Sequence, residues 1–398
     1  MRIRFLLTIL CLFTASAALA DHDERFDLWP NLDKGQFEVG LKVFHLSDES
    51  RAFKLSEQSA EIPRPIQMLL WYPAVKSTDS DYMQFKDYIA LAASEIDFSK
   101  NTEDHHRKEI ELFRSWILKR NVKAEDVDLI LDSKTTVIRD ADHASGKFPL
   151  IIYVPGFSSL NNNNHILCEF LASHGYIVAA INSMGAKSRS MTHDFEGINA
   201  QIKDINFVAD HLNSIALVDG KSIGTLGHSW GGMTATLHAF GNANVSAVVN
   251  LDGSNFSPRW KTLMKLATRD KSKKFNAAYI HMMSDPPENS GIAHDTSFLD
   301  NLVSDVHVIR IKGFRHGDFI SLFALFTLRA RLPFGDGTTI PKEHISRGFR
   351  NVCETALQFY NAYLKDDKTA RSRLRNLTTP KHIEPGDLLL EKRVLQKD

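Results

Sequence analysis

Between residues 148 and 251 the chain alternates buried strand, turn and helix in regular succession, and this rhythm limits the possible folds more than any other feature. Apolar runs predict strands at 149–154, 176–181, 222–226 and 245–251, with helices at 164–173, 196–213 and 231–240 between them. Two further strands are expected at 277–283 and 306–311, then a long helix at 342–364. Short apolar strands separated by helices pair in parallel through right-handed crossovers, which cover both faces of the sheet. The expected class is therefore α/β, with a mostly parallel central sheet and helices on both faces.

The first third of the chain is less regular. Phe37, Val39, Leu41 and Val43 alternate with Glu38, Gly40 and Lys42, the pattern of a half-buried strand, and 65–72 reads as a second strand stopped by Pro73. A polar, helix-rich stretch at 80–125 reads as an insertion on the outside of the sheet, and 135–139 resumes strand character. No internal repeat or Gly/Pro/Ser-rich linker divides the chain. One domain over residues 21–398 is expected, ending in a charged tail at 366–398 read as a solvated extension.

Residues 1–20 have the three parts of a secretory leader. Arg2 and Arg4 precede an apolar run from Phe5 to Phe13, and Ala18-Leu19-Ala20 supplies a small-x-small cleavage site before Asp21. That run is too short to span a bilayer. Cys11 lies inside it, after Leu10, which disfavours a lipid anchor. Secretion or export to the periplasm is expected, leaving Cys168 and Cys353 as two buried thiols or one bridge. The full chain has 48 basic and 48 acidic residues, so no field favours nucleic acid or an anionic membrane.

Chemistry concentrates at Gly227-His228-Ser229-Trp230-Gly231-Gly232. G-x-S-x-G alone is a common pentapeptide. Here it follows an apolar strand and opens a helix, the setting of the nucleophile elbow in the α/β-hydrolase fold. A serine hydroxyl attacks only when a base removes its proton, and an acid must orient that base. Of the six histidines beyond residue 252, His281 and His307 fall within strands, His294 precedes a helical stretch, and His344 and His382 lie too far on. His316 follows the last strand and is the candidate base. Asp252 and Asp285 both follow strands at the carboxyl edge of the sheet, and position alone leaves both open as the acid. Two N–H donors must meet the oxyanion, and Trp230 and Phe157 are the candidates.

Taken together, Tyr153-Val154-Pro155-Gly156-Phe157, the segment 171–180, the elbow, Leu251-Asp252 and the segment 311–316 resemble the platelet-activating factor acetylhydrolase family, among dienelactone-hydrolase-like esterases. Val39-Gly40 and Trp71-Tyr72-Pro73-Ala74 are similar to that family's first strands. The resemblance implies a serine carboxylic ester hydrolase working through an acyl-enzyme, without cofactor, on a small-molecule or lipid ester. Other acyl substrates (triglyceride, polyester, thioester or peptide) and a non-catalytic binding role are the alternatives. It favours Asp252 as the acid, 23 residues after Ser229, over Asp285. The family's first oxyanion loop usually carries His-Gly, and here Pro155 stands in place of that histidine. Residues 255–273 are expected as a lid or a surface excursion, with Phe256 and Trp260 as candidate acyl-pocket residues. No metal site is expected, because His105 and His106 are adjacent and point to different sides of a helix.

Mass spectrometry of the protein recovered from outside the cytoplasm should give an N-terminus at Asp21. An intact Met1 on that material would refute the leader.

Overall fold

The computed structural model describes residues 32–75, 81–120, 122–270, 274–285, 297–302, 304–321 and 342–396. The expected leader, its cleavage site and His294 lie outside them. The described residues form an 11-stranded sheet in the order β11-β10-β9-β8-β7-β5-β6-β2-β1-β4-β3. Its strands are β1 (Glu38–Lys54), β2 (Glu61–Ala74), β3 (Tyr82–Gln84), β4 (Lys134–Arg139), β5 (Phe148–Val154), β6 (Ile177–Ala180), β7 (Val218–His228), β8 (Val245–Leu251), β9 (Ala278–Met283), β10 (Val306–Ile311) and β11 (Leu388–Val394). From β6 to β10 every neighbouring pair is parallel. β2 joins β6 and β1 antiparallel, and β11 closes the far edge antiparallel to β10.

Side-chain alternation along β5 divides the core. Ile151 and Tyr153 pack on one face, while Leu150, Ile152 and Val154 pack on the other. Both faces are dry, so the strand reads as an unbroken apolar run. The first face is covered by α4 (His165–Ser173), the long α8 (Lys342–Leu364) and the inserted helices α1 (Phe85–Ala90), α2 (Glu103–Leu118) and α3 (Ala124–Asp132). The second is covered by α5 (Phe195–Asn213) and α6 (Trp230–Ala239). The insertion is knitted into the core. The Trp71 indole N–H donates to the Tyr88 hydroxyl at 2.7 Å, which donates to Glu169 at 2.8 Å.

Three readings from sequence change here. Pro73 does not end β2. It pairs with Val39, and its carbonyl accepts from the Ala144 N–H at 2.8 Å, so its missing donor faces away from β1 and costs that ladder no bond. β1 runs on past 43 to Lys54, through a register shift between Asp48 and Ala52 that hides its period. The tail is not a loose extension. It forms α9 (Lys368–Arg375) and then β11, whose entry locks onto the exit of β10 through Lys312 N–H to Asp387 carbonyl (2.9 Å) and Gly386 N–H to Lys312 carbonyl (2.7 Å). β11 is only half buried, so backbone pairing rather than an apolar face holds it, and that leaves little signal in the sequence.

One buried ion pair fastens the second face. Arg64 on β2 has no exposed surface and grips Asp204 on α5 with two bonds, Nε–Oδ1 at 2.7 Å and Nη2–Oδ2 at 2.6 Å. Its remaining amine donates to the carbonyls of Gly185 and Ala186. Removing one member of such a pair strands a buried charge. Asp204→Ala should therefore lower the free energy of unfolding by about 3–5 kcal/mol in a urea titration. A loss below about 1 kcal/mol would show that water reaches Arg64 and takes over from the carboxylate.

Candidate active site

Ser229 stands between the end of β7 and the start of α6, at φ 57° and ψ −122°. A left-handed φ at a serine costs on the order of 1–3 kcal/mol and persists only where its surroundings enforce it. Here they do. The Ser229 N–H donates to the Leu251 carbonyl on β8 at 3.0 Å, and the Ser229 carbonyl accepts from Ser254 at 2.9 Å. A Cβ at position 227 would lie 2.4 Å from the Gly231 carbonyl oxygen, and one at 231 would lie 2.1 Å from that of Val154. The two glycines of the motif are thus steric requirements of the turn.

The elbow aims the serine at His316, in the short turn His316–Phe319 just after β10. His316 Nε2 lies 2.9 Å from Ser229 Oγ, and Nδ1 lies 2.6 Å from Asp252 Oδ2. A ring nitrogen facing a carboxylate carries the proton, so Nδ1–H donates to Asp252 and Nε2 is left to accept from the serine. Asp252 Oδ1 also accepts from the Ser284 N–H at 2.7 Å. Burial alone would push the Asp252 carboxyl up, but the bond and charge of His316 and the Ser284 N–H hold it well below the carboxylate range. Burial would likewise depress His316, yet Asp252 overrides it and raises the imidazole above its ordinary value of 6.5. More than half of the His316 side-chain surface (55%) remains open to an incoming molecule.

Of the two acids left open by sequence, only Asp252 reaches the histidine. Asp285 is occupied elsewhere. It accepts from Arg310 Nη1 (3.1 Å), the Gly313 N–H (2.9 Å) and Lys312 Nζ (3.0 Å). These contacts tie β9 to the β10 exit and steady the loop that carries His316. Asp318 steadies it from the other side, accepting the Arg315 N–H at 2.8 Å.

His228, the residue before Ser229, is given no role by the sequence alone. It is buried, and its Nε2–H donates to the His316 carbonyl at 2.9 Å, pinning the His316 backbone to the elbow. Burial first, and then the neighbouring His316, push its pKa down to about 3. It therefore stays neutral, and the bond does not switch with pH above that value.

Gly156 packs against the serine, since a Cβ there would sit 3.3 Å from Ser229 Cβ. Among the described residues, neither the Phe157 nor the Trp230 N–H donates to another main-chain carbonyl. As the first residue of α6, Trp230 has no preceding turn to bond. Residues 254–267 fold as two short turns and α7 (Lys261–Ala267). The two pocket candidates separate. Phe256 is 1% exposed and stacks on His281 (3.9 Å), so it belongs to the core beneath α7 and offers an acyl chain no surface. Trp260 is half-buried and packs edge-on to Trp230 at 5.2 Å. Among the described residues no group of three potential ligands could hold a metal ion, and no helix is long and apolar enough to cross a membrane. Cys168 and Cys353 are both buried and free.

The chain has the α/β-hydrolase fold. It is similar over 90% of its length to 97% of a solved ferulic acid esterase from Streptomyces cinnamoneus, with a TM-score of 0.57 and 20% identity. The family model for chlorophyllase matches residues 117–261, well under half of the chain, including the elbow and Asp252. No curated protein sequence matches. None of these comparisons names the acetylhydrolase family of the sequence resemblance.

If Asp252 holds the histidine as the geometry indicates, Asp252→Asn should reduce kcat on the order of 10⁴-fold, by analogy with serine proteases. Asp285→Asn should cost far less. A pH profile adds a second check. Only neutral His316 accepts a proton, and Asp252 stabilises its charged form, so kcat/KM should fall as pH drops through a midpoint above 6.5. In Asp252→Asn that midpoint should move downward. An unmoved midpoint, or a larger loss in Asp285→Asn, would reverse the assignment.

Proposed function

We propose that this protein is a serine esterase, cleaving carboxylic esters through a covalent acyl-enzyme. The observation that carries this reading is the continuous contact Ser229 Oγ, His316 Nε2, His316 Nδ1 and Asp252 Oδ2, mounted on a strained strand-to-helix turn. In the first half-reaction Ser229 Oγ attacks the ester carbonyl while His316 takes its proton. The N–H groups of Phe157 and Trp230 receive the developing oxyanion. His316 then returns the proton to the departing alcohol, and Asp252 balances the imidazolium throughout. In the second half-reaction water repeats the sequence and releases the acid. The chain supplies the nucleophile, the proton carrier and the oxyanion donors of this cycle, and the water of the second half-reaction restores through His316 the proton that the alcohol carried away.

The esterase name of the solved neighbour supports the ester class. The residues shared with the acetylhydrolase family suggest small-molecule or lipid esters, and the leader-like first twenty residues suggest work outside the cytoplasm. A binding protein without catalysis would have no use for a serine held at positive φ, a cost retained where function requires it.

A fluorophosphonate probe should label the wild-type chain on Ser229, and Ser229→Ala should lose both the label and the hydrolysis of p-nitrophenyl esters. Labelling that persists in this variant would place the reactive serine elsewhere. An unlabelled, inactive wild type would leave the fold as a scaffold.

A further inference from the structure

Three loops meet beside the nucleophile, and each contributes one ring to a stack. Phe157 follows β5, His193 lies between β6 and α5, and Trp260 lies in the turn after β8. The His193 ring sits 3.8 Å from Phe157 with an interplanar angle of 3°, and 5.2 Å from Trp260 with an angle of 14°. Trp230 stands edge-on to all three, at angles of 90°, 88° and 80°. Its indole, only 2% exposed, forms the floor on which the stack rests.

The outer rings and the floor are held firmly. Phe157 and Trp260 are half-buried against the core, and the Arg259 guanidinium lies 4.6 Å over the Trp260 ring. The middle ring is held least. His193 is exposed and lies on a stretch of backbone that is neither helix nor strand, between Ala180 and Phe195. An imidazole is also the smallest and most polar ring of the set, so it gains least from stacking in a slot walled by apolar faces. The slot opens beside the reacting atoms, because Trp230 adjoins Ser229 in sequence and Gly156, next to Phe157, packs on the serine.

We propose that the gap between Phe157 and Trp260 is a subsite for a flat aromatic or conjugated group of the ester, and that His193 is a removable ring occupying it until such a group binds. The proposal rests on the esterase reading above and narrows it to esters bearing a planar group close to the carbonyl. A substrate ring that displaces His193 keeps both stacking contacts, buries more apolar surface and returns the imidazole to water. His193 and Trp260 are specificity residues and take no part in proton transfer.

Binding can be read without turnover in the full chain carrying Ser229→Ala, using equilibrium dialysis with methyl cinnamate and its saturated analogue methyl 3-cyclohexylpropanoate. The flat ester should bind about three- to tenfold more tightly, the worth of a ring stack. Adding Trp260→Leu should erase that preference. Adding His193→Ala should tighten binding of the flat ester and leave the saturated one unchanged. Circular dichroism confirms that each variant is folded. Equal affinities for the two esters, a preference that survives Trp260→Leu, or an unchanged affinity in His193→Ala would each overturn the proposal. Hydrolysis of a small acetate ester by the chain with Ser229 intact tests the esterase reading separately, so failure of one is not mistaken for failure of the other.

Discussion

The left-handed turn at Ser229 is the constraint on which the rest of the site depends. A serine in that conformation is unstable by itself, and two β-strands and a helix must agree on its position. β8 takes its N–H, the segment after β8 takes its carbonyl, and the β5 exit packs against it. The same neighbours carry the other parts of the machinery. Asp252 is the next residue after β8, and the Phe157 loop is the β5 exit itself. Holding the serine and assembling its partners are therefore one structural act.

Electrostatics then separates two histidines that lie within 4.7 Å of each other. Both lose hydration, which disfavours their charged forms. His316 gains a carboxylate and is raised, whereas His228 gains only a carbonyl acceptor and is lowered. One ring is left able to titrate during a reaction, and the other serves as a fixed strut. A second positive charge beside the first would have weakened the base, so the neutrality of His228 matters as much as its bond.

Much of this was legible in the sequence. Strands buried on both faces leave continuous apolar runs, and β8, β10 and α8 fall at their expected bounds. The motif glycines and the loop after β10 pointed to Ser229 and His316, which the fold brings within 2.9 Å of each other. Position alone left the acid open, because Asp252 and Asp285 occupy equivalent strand ends, and only the family resemblance favoured Asp252. What separates them is the reach of His316 toward one and the claim of Arg310, Lys312 and Gly313 on the other. Contacts between distant loops left no trace. His193 reads as one polar residue in a polar loop, and only the folded chain brings it between two rings. Phe256 failed in the opposite sense: its apolarity served the core rather than a substrate.

The edge strand β11 ties the His316 loop to a segment distant in sequence from Ser229. Asp387 and Gly386 clamp Lys312, only a few residues before His316, so the loop bearing His316 is braced by a segment far downstream of the serine. The serine and its acid belong to strands made more than a hundred residues earlier. A nascent or threading chain thus carries its nucleophile well before the clamp that steadies the base is in place. Bracing of the His316 loop is therefore deferred, by topology alone, until the segment between α9 and β11 has been made.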